Sequence, residues 1–192
     1  MSSVRGLLRA VPALTGTAPS FDPLSAPDDP VALFLVWCDE ALAAGIAEPH
    51  TMTLSTVDEE GRPDARTLIL KDVDRLGWAF ASTRSSAKGH QLAVHPAAAL
   101  SFWWQAQVRA VRVRGPVVRA AEEESAADLA ARSAAAREGV AEGDWAVWRV
   151  VPEQIEFWQG SADRRHLRLV YERRGDGWSH AVRSGEQRED AG

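Results

Sequence analysis

Residues 51–73 read TMTLSTVDEEGRPDARTLILKDV, and this stretch decides the fold class. Polar and apolar side chains alternate over 51–57, which is the pattern of a strand with one buried face. The turn-forming residues DEEGRP follow, and DARTLILKDV, rich in branched side chains, has the composition of a returning strand. The stretch therefore predicts an antiparallel β-hairpin.

Strand patterns continue beyond this hairpin at short intervals. They are GWAFAST (77–83), AAALSFWW (97–104), VRAVRVRGPVV (108–118), either WAVWRV (145–150) or QIEFW (154–158), and a hairpin in YERRGDGWSHAV (171–182). In the 108–118 segment Arg109 shares a face with Val111 and Val113, whereas Arg112 and Arg114 share the other face. This spacing predicts a half-buried strand with charge outside.

Three segments have helical signals. A helix is predicted over 31–45, where Asp28 or Asp29 can cap it ahead of a proline. A short one is predicted in SSAKGHQLAVHP (85–96), capped by Ser85 or Ser86, and an alanine-rich one over 120–137.

Strands and single helices without strict alternation indicate a mainly β fold with helices (α+β), a small antiparallel barrel with packed helices. The proline-rich start predicts an irregular arm over residues 1–30. A single domain is then expected over 31–183, followed by a flexible tail over 184–192.

Composition narrows the class of protein. The 192 residues contain 27 acidic and 22 basic side chains, a net charge of −5, which argues against a nucleic-acid partner. The single cysteine, Cys38, excludes an internal disulfide or a multi-cysteine metal site, and we expect no metal. No apolar run is long enough for a membrane span, so a cytoplasmic protein is expected.

Three strings carry a resemblance to a known family. They are RTLILKDVD (66–74), SSAKGHQLAVHPAAALSFWW (85–104) and IEFWQGSADRRHLRL (155–169). Together they resemble the pyridoxamine 5′-phosphate oxidase family, whose members are FMN-dependent split β-barrel enzymes. The last string is the most specific, because its Phe-Trp-Gln-Gly turn and Arg-x-His-x-Arg motif are compositionally unusual. The resemblance extends over residues 7–182.

The resemblance and the chemistry of FMN together suggest a cofactor site. A phosphate group needs cationic and hydroxyl donors, and Arg66, Lys88 and Ser82 are such donors. By resemblance, Arg66 and Lys88 hold the phosphate and the backbone of residues 67–70 borders the flavin. The complete predicted cofactor-binding set is Arg66, Thr67, Leu68, Ile69, Leu70, Ser82, Lys88, Trp145 and Arg168. Four other tryptophans are expected in the core or at a dimer interface: Trp103, Trp104, Trp158 and Trp178.

The resemblance also implies substrate-side residues. Lys71 is expected to reach the substrate, and strand alternation places it on the face opposite Arg66 unless a bulge intervenes. Arg164 and His166 match the family's substrate-side pair and are the predicted catalytic residues. Arg132 and Ser133 are the remaining candidates for binding the substrate's anion.

This sequence departs from the family pattern in several places. Ala110 stands where the family has a glutamine near the flavin, and Leu129 stands where a tyrosine is expected at the substrate phosphate. The loop EGVAEGD (138–144) is shortened, and Arg183-Ser184-Gly185 replaces the terminal Arg-Leu-x-Pro. These changes predict that FMN binding is retained and that the phosphate group of a vitamin B6 substrate is bound more weakly.

The resulting hypothesis is a homodimeric, FMN-dependent oxidase resembling pyridoxamine/pyridoxine 5′-phosphate oxidase. Hydride would pass from a planar, anionic heterocycle to FMN, with reoxidation by dioxygen. The substrate is either a vitamin B6 phosphate or a different heterocycle. Two alternatives remain open: a non-catalytic flavin-binding or ligand-sequestering dimeric barrel, and a structural dimer without cofactor.

Overall fold

A computed structural model describes residues 3–183 of the chain, so the predicted tail over 184–192 lies outside the described residues. The strands are β1 Thr51–Val57, β2 Pro63–Ile69, β3 Asp72–Asp74, β4 Gly77–Thr83, β5 Ala97–Trp104, β6 Arg109–Arg119, β7 Trp145–Val150, β8 Gln154–Gln159, β9 Leu167–Arg174 and β10 Gly177–Val182. The helices are α1 Val4–Ala10, α2 Pro30–Ala43, α3 Ala87–Val94, α4 Glu122–Ala130 and α5 Ala134–Arg137.

All strand pairs are antiparallel. The predicted hairpin forms as β1 and β2 but ends at Ile69, whereas residues 72–74, predicted in its returning strand, form β3 and pair with β4. Leu54 lies opposite Arg66 in this hairpin. The chain changes partner where β2 ends, because Leu70 N donates to His50 O whereas Lys71 N donates to Ala79 O of β4. Arg66 and Lys71 therefore belong to two different parts of the sheet.

The long strand β6 turns the sheet into a half-barrel. The main order is β10-β9-β8-β6-β5-β1-β2, while β7, β4 and β3 continue from the far end of β6. Residues Arg109 to Arg114 pair with β8, and Val117 to Arg119 pair with β7. The bend between them needs a glycine, because a Cβ on Gly115 would lie 2.0 Å from the Val151 carbonyl oxygen. The fold is the predicted mainly antiparallel split barrel with packed helices.

Helix α2 fills the concave side of the half-barrel with aromatic side chains. Phe34 packs 4.4 Å from Trp78, and Trp37 packs 5.2 Å from Phe157, measured between ring centroids. Asp29 caps this helix by accepting a hydrogen bond from Val31 N at 2.9 Å. The core between α2 and the sheet therefore fixes which face of each strand points inward.

Three details differ from the sequence predictions. The predicted helix over 120–137 is broken into α4 and α5, because the Ser133 side chain accepts from Ala136 N and starts a new turn. Both WAVWRV and QIEFW form strands, as β7 and β8. The arm over 1–30 is not irregular throughout, since Ser3 caps the exposed helix α1 by accepting from Gly6 N.

Candidate cofactor and substrate site

Arg66 faces the core side of the hairpin and is held in a polar network. Its side chain donates to Thr56 Oγ1 at 2.5 Å, to Gln91 Oε1 at 3.0 Å and to Asp64 at 2.5 Å. Gln91 belongs to α3 and also donates to Asp64 at 3.0 Å, which with the charge of Arg66 lowers the pKa of the Asp64 carboxyl. The guanidinium is thus positioned at the junction of β1, β2 and α3.

Lys88 lies in the first turn of α3, close to Arg66. Its Nζ donates to Ser86 Oγ at 3.2 Å, and it has no carboxylate partner within residues 3–183. Burial, reinforced by the positive charge of Arg66, lowers the pKa of the Lys88 ammonium. The Arg66 charge is paired with the Asp64 carboxylate, so the Lys88 ammonium is the positive charge at this place that favours a further anion.

Hydroxyl groups complete this cluster. Ser86 caps α3 by accepting from Gly89 N, and Ser82 Oγ lies 3.4 Å from Ser86 Oγ. Ser82 is buried on β4. The first N–H groups of a helix lack intrahelical partners and favour anions. The arrangement of Arg66, Lys88 and the two serines, here called the cationic cluster, therefore fits a phosphate group.

Lys71 belongs to a second cluster, built on α4 and β7. Its Nζ lies 3.3 Å from Asp128 Oδ1, and Trp145 Nε1 donates to Asp128 Oδ2 at 2.9 Å. The Arg132 guanidinium lies 4.6 Å from the centroid of the Trp145 ring. We call Lys71, Asp128, Arg132 and Trp145 the Asp128 cluster.

The two clusters are neighbours in the half-barrel. Trp145 pairs with Thr83, the residue after Ser82, so β4 connects the cationic cluster with the Asp128 cluster. Asp144 reinforces this connection, because Ser85 N and Ser85 Oγ donate to its carboxylate at 2.8 and 2.7 Å. Ser82 pairs with Ala146, however, so Ser82 and Trp145 point to opposite faces of the sheet.

The structure changes the interpretation of α4. Asp128, the residue before Leu129, is the side chain that reaches Lys71 and Trp145. Ser133 is exposed and caps α5, and no described contact joins it to this cluster. A sequence pattern could not supply this detail, because the rotation of α4 about its axis depends on how the helix packs on β7.

Arg164 and His166 lie elsewhere, in the turn between β8 and β9, and Arg168 is the second residue of β9. His166 Nδ1 accepts from Ser161 N at 3.0 Å, and Arg164 has a left-handed backbone conformation with φ 64°. The Arg168 Nε lies 3.3 Å from the Glu156 carboxylate. The turn and the start of β9 therefore bring several cationic side chains close together in the chain.

Trp158 belongs to this turn and was not among the predicted cofactor residues. It lies opposite Arg168 in the β8–β9 ladder, and its ring centroid is 5.0 Å from that of His166. On the other side it contacts Trp103, which is 50% exposed, at 6.1 Å. The spacing within the FWQGSADRRH string could have indicated this proximity, because a tight turn returns the chain onto Trp158.

The predicted cofactor residues fall on both faces of the sheet. Arg66 shares the inner face with Leu54, which is fully buried, whereas Arg168 shares the outer face with Trp158 and Trp103. Five strand spacings of about 4.8 Å separate β2 from β9 along the sheet, roughly 24 Å. One protomer therefore does not bring the whole predicted set together.

The remaining predicted cofactor residues line β2 and its end. Thr67 lies opposite Thr53 on the outer face, and Ile69 is exposed. Leu68 and Leu70 pack against the core. Ala110 lies opposite both Trp103 and Trp158 on the outer face.

Comparisons with known proteins agree with this architecture. The antiparallel half-barrel with one helix in its opening defines a split barrel. A family model described as pyridoxamine 5′-phosphate oxidase matches residues 38–159, and one described as the pyridoxine 5′-phosphate oxidase C-terminal dimerisation region matches residues 145–183. The chain therefore belongs to the pyridoxamine 5′-phosphate oxidase family.

Several curated relatives carry the name pyridoxine/pyridoxamine 5′-phosphate oxidase. The protein from Burkholderia cenocepacia is 41% identical over 185 residues, covering 80% of this chain and 86% of the relative. The one from Thermosynechococcus vestitus is 39% identical over 184 residues, covering 80% and 87%.

Solved structures support the fold alone. PhzG from Burkholderia lata superposes with a TM-score of 0.80 at 24% identity, covering 88% of this chain and 100% of that one. A pyridoxamine 5′-phosphate oxidase-related FMN-binding protein from Nostoc punctiforme gives a TM-score of 0.68 at 18% identity, covering 81% and 97%.

Two kinds of feature are absent from residues 3–183. No helix there is long and apolar enough to cross a membrane. No group of three or more His, Cys, Asp or Glu side chains in the same range is placed to hold a metal ion.

Proposed function

We propose that this protein is an FMN-dependent oxidase of planar heterocyclic substrates. The observation that carries the proposal is the cationic cluster, in which Lys88 lies beside Arg66 with only a hydroxyl partner. A phosphate group would supply the missing negative charge. Family membership supports FMN as the molecule that carries this phosphate.

Bound FMN would accept two electrons as a hydride from a substrate carbon and return them to dioxygen. The residues of the chain bind and orient the reactants. Arg66 and Lys88 hold the cofactor phosphate, with Ser82 and Ser86 as hydroxyl donors. Lys71 and Arg132 attract the substrate's anionic group. Arg164 and His166 contact its reacting polar group.

The site is proposed to be completed by a second copy of the chain. Arg168 and Trp158 lie on the outer face of the sheet, opposite to Arg66, and the C-terminal dimerisation region includes both. The exposed Trp103 and its neighbour Trp158 give this face the aromatic character of an interface. Two-fold pairing would create two equivalent sites.

Turnover separates an oxidase from a barrel that only binds flavin. The FMN-saturated protein is mixed anaerobically with pyridoxine 5′-phosphate, pyridoxamine 5′-phosphate or a partly reduced phenazine carboxylic acid. We expect the flavin absorbance to bleach with at least one of them and to return on admission of air, with oxygen consumed over many cycles. Bound FMN without bleaching by any of them would favour the non-catalytic barrel, and a protein that does not bind FMN would contradict both.

A further inference from the structure

The Asp128 carboxylate lies where the proposed function places the substrate's anionic group. Its Oδ1 lies 3.3 Å from Lys71 Nζ and its Oδ2 accepts from Trp145 Nε1 at 2.9 Å. Both oxygens are therefore held, and the carboxylate has one orientation. The side chains of Lys71 and Asp128 are only 32% and 20% exposed, so solvent screens this charge less than at the surface.

Arg132 is the second cation of the cluster and has no carboxylate partner within residues 3–183. Its guanidinium stacks 4.6 Å from the Trp145 ring centroid, and its Nε is buried without a hydrogen-bond partner. The three charges in the cluster are thus Lys71, Arg132 and Asp128. The net charge of the cluster is therefore +1, whereas Lys71 and Arg132 without Asp128 would give +2.

The fold does not need Asp128 to hold α4 in place. Glu124 of the same helix accepts from the buried Arg149 at 2.7 Å, and Ser125 Oγ accepts from Val147 N at 3.1 Å. These two bonds attach α4 to β7 independently of Asp128. A neutral side chain at position 128 is therefore expected to leave the helix in place.

We propose that Asp128 determines substrate specificity by selecting a planar heterocycle with a single negative charge, a carboxylate, over a phosphate ester. A phosphate ester carries about −1.5 to −2 charges at pH 7 and would lie beside the Asp128 carboxylate. A carboxylate carries one charge, which Arg132 can balance while Lys71 stays paired with Asp128. The inference rests on the proposed function, because that function assigns Lys71 and Arg132 to the substrate.

The test compares three probes on one pyridine ring system: pyridoxine 5′-phosphate, 4-pyridoxic acid and neutral pyridoxine. Their dissociation constants are measured by calorimetry with the FMN-saturated full chain, and also with the protein alone. The variants are Asp128→Asn and, as a control, Glu123→Gln. Glu123 is exposed on the same helix, so the control removes an equal charge away from the cluster.

The wild-type protein is expected to bind 4-pyridoxic acid more tightly than pyridoxine 5′-phosphate. Because the electrostatic energy scales with ligand charge, Asp128→Asn should tighten the phosphate about tenfold or more and the carboxylate about threefold, with pyridoxine unchanged. Glu123→Gln should change none of the three. If Asp128→Asn instead loosened the packing of α4, all three probes would bind more weakly.

Two results would overturn the inference: a wild-type preference for the phosphate, or an Asp128→Asn variant with no gain on the phosphate. If that variant does not fold, Asp128→Ser gives the same comparison. Failure of FMN to bind would contradict the proposed function separately. The probe titration of the protein alone would then still test the preference of the cluster.

Discussion

Arg66 shows how an arginine in a strand becomes a candidate for binding phosphate. Sequence alternation placed it on one face of β2, but only the folded chain brings Gln91 and Lys88 of α3 against it. Its hydrogen bonds to Thr56 and Gln91 hold the guanidinium in place before any ligand arrives. Preorganisation of this kind reduces the entropy lost on binding.

Replacing Arg66 is expected to weaken FMN binding. A charge-assisted hydrogen bond to phosphate contributes about 1.5–3 kcal/mol, so Arg66→Met should raise the dissociation constant about tenfold or more. Quenching of flavin fluorescence on titration measures the constant. Arg75→Met is the control, since Arg75 is exposed in the β3–β4 turn and its loss removes the same charge. Equal FMN affinity in the two variants would remove Arg66 from the site.

Lys88 is expected to give FMN binding a pH dependence. Burial lowers its pKa from the ordinary 10.5, so the ammonium is lost at a lower pH than in an exposed lysine. FMN affinity should therefore fall as the pH rises through that lowered pKa. It should also fall below about pH 6, where the phosphate takes up a proton.

The Lys88→Met variant lacks the group that titrates at high pH. Its FMN affinity should be lower than that of the wild type at pH 7. It should no longer fall at alkaline pH but should still fall below about pH 6, as measured by fluorescence titrations from pH 5 to 10. An identical alkaline decline in wild type and variant would assign the titration to another group.

Some residue-level features could be predicted from sequence and others could not. The strings around Arg66 and Lys88 indicated two donors that the fold then places side by side. Asp128 was overlooked, because the alanine-rich segment gives no signal for which side of the helix faces Lys71. Trp158 was assigned to the core or an interface, since sequence does not show that the following turn folds back onto it. The binding roles of all these residues stay predictions.

At the scale of elements, one buried arginine couples α2 to the sheet. Arg109 is 1% exposed, donates to Glu40 of α2 and to Gln159 at 2.8 Å, and lies 4.0 Å from the centroid of the Trp37 ring. Alternation had correctly placed Arg109 on the valine face of β6. Its partners could not be predicted, because Glu40 and Gln159 are 69 and 50 residues away in sequence.

Removal of Glu40 tests this coupling. Glu40→Ala leaves the buried guanidinium without its carboxylate, and the free energy of unfolding should fall by about 1.5–3 kcal/mol. Asp39→Ala is the matched control, since Asp39 is exposed one position away and should change stability by less than about 0.5 kcal/mol. Urea denaturation followed by tryptophan fluorescence gives both values. Equal stability of the two variants would mean that Glu40 contributes no more than an exposed carboxylate.

The hairpins at 51–69 and 171–182 form because local alternation and turn residues specify them, whereas the change of partner after Ile69 has no local signal. The break between α4 and α5 was missed, since Ser133 is compatible with a helix interior in sequence and becomes a cap only when the chain turns there. Local signals thus specified the strands better than they specified the helix ends.

At the scale of the whole molecule, the half-barrel places the candidate residues on opposite faces. Arg66 is on the inner face of β2, and Arg168 is on the outer face of β9. The strand order separates them by four intervening strands. In a homodimer, Arg66 of one protomer and Arg168 of the other could contribute to one site although they lie far apart within each protomer. Alternation in the sequence assigns residues to the two faces of one strand, but it does not show the strand order or the curl of the sheet, which depends on β6 pairing with both β8 and β7.

The most direct test of this account asks whether one site uses residues from two protomers. Chains with Arg66→Met and Arg168→Met are co-expressed with different tags, and the doubly tagged heterodimer is purified. If Arg66 and Arg168 reach the same FMN from different protomers, one of the two sites in the heterodimer carries both substitutions and the other carries neither. Light scattering confirms that every species is a dimer, and FMN titration gives the stoichiometry and affinity.

One FMN is expected to bind tightly to each wild-type protomer, and FMN is expected to bind weakly to each homodimeric variant. The heterodimer should bind one FMN per two protomers with wild-type affinity. A heterodimer that binds FMN as weakly as both parents would show that the two arginines do not meet across the interface, and would contradict the shared site.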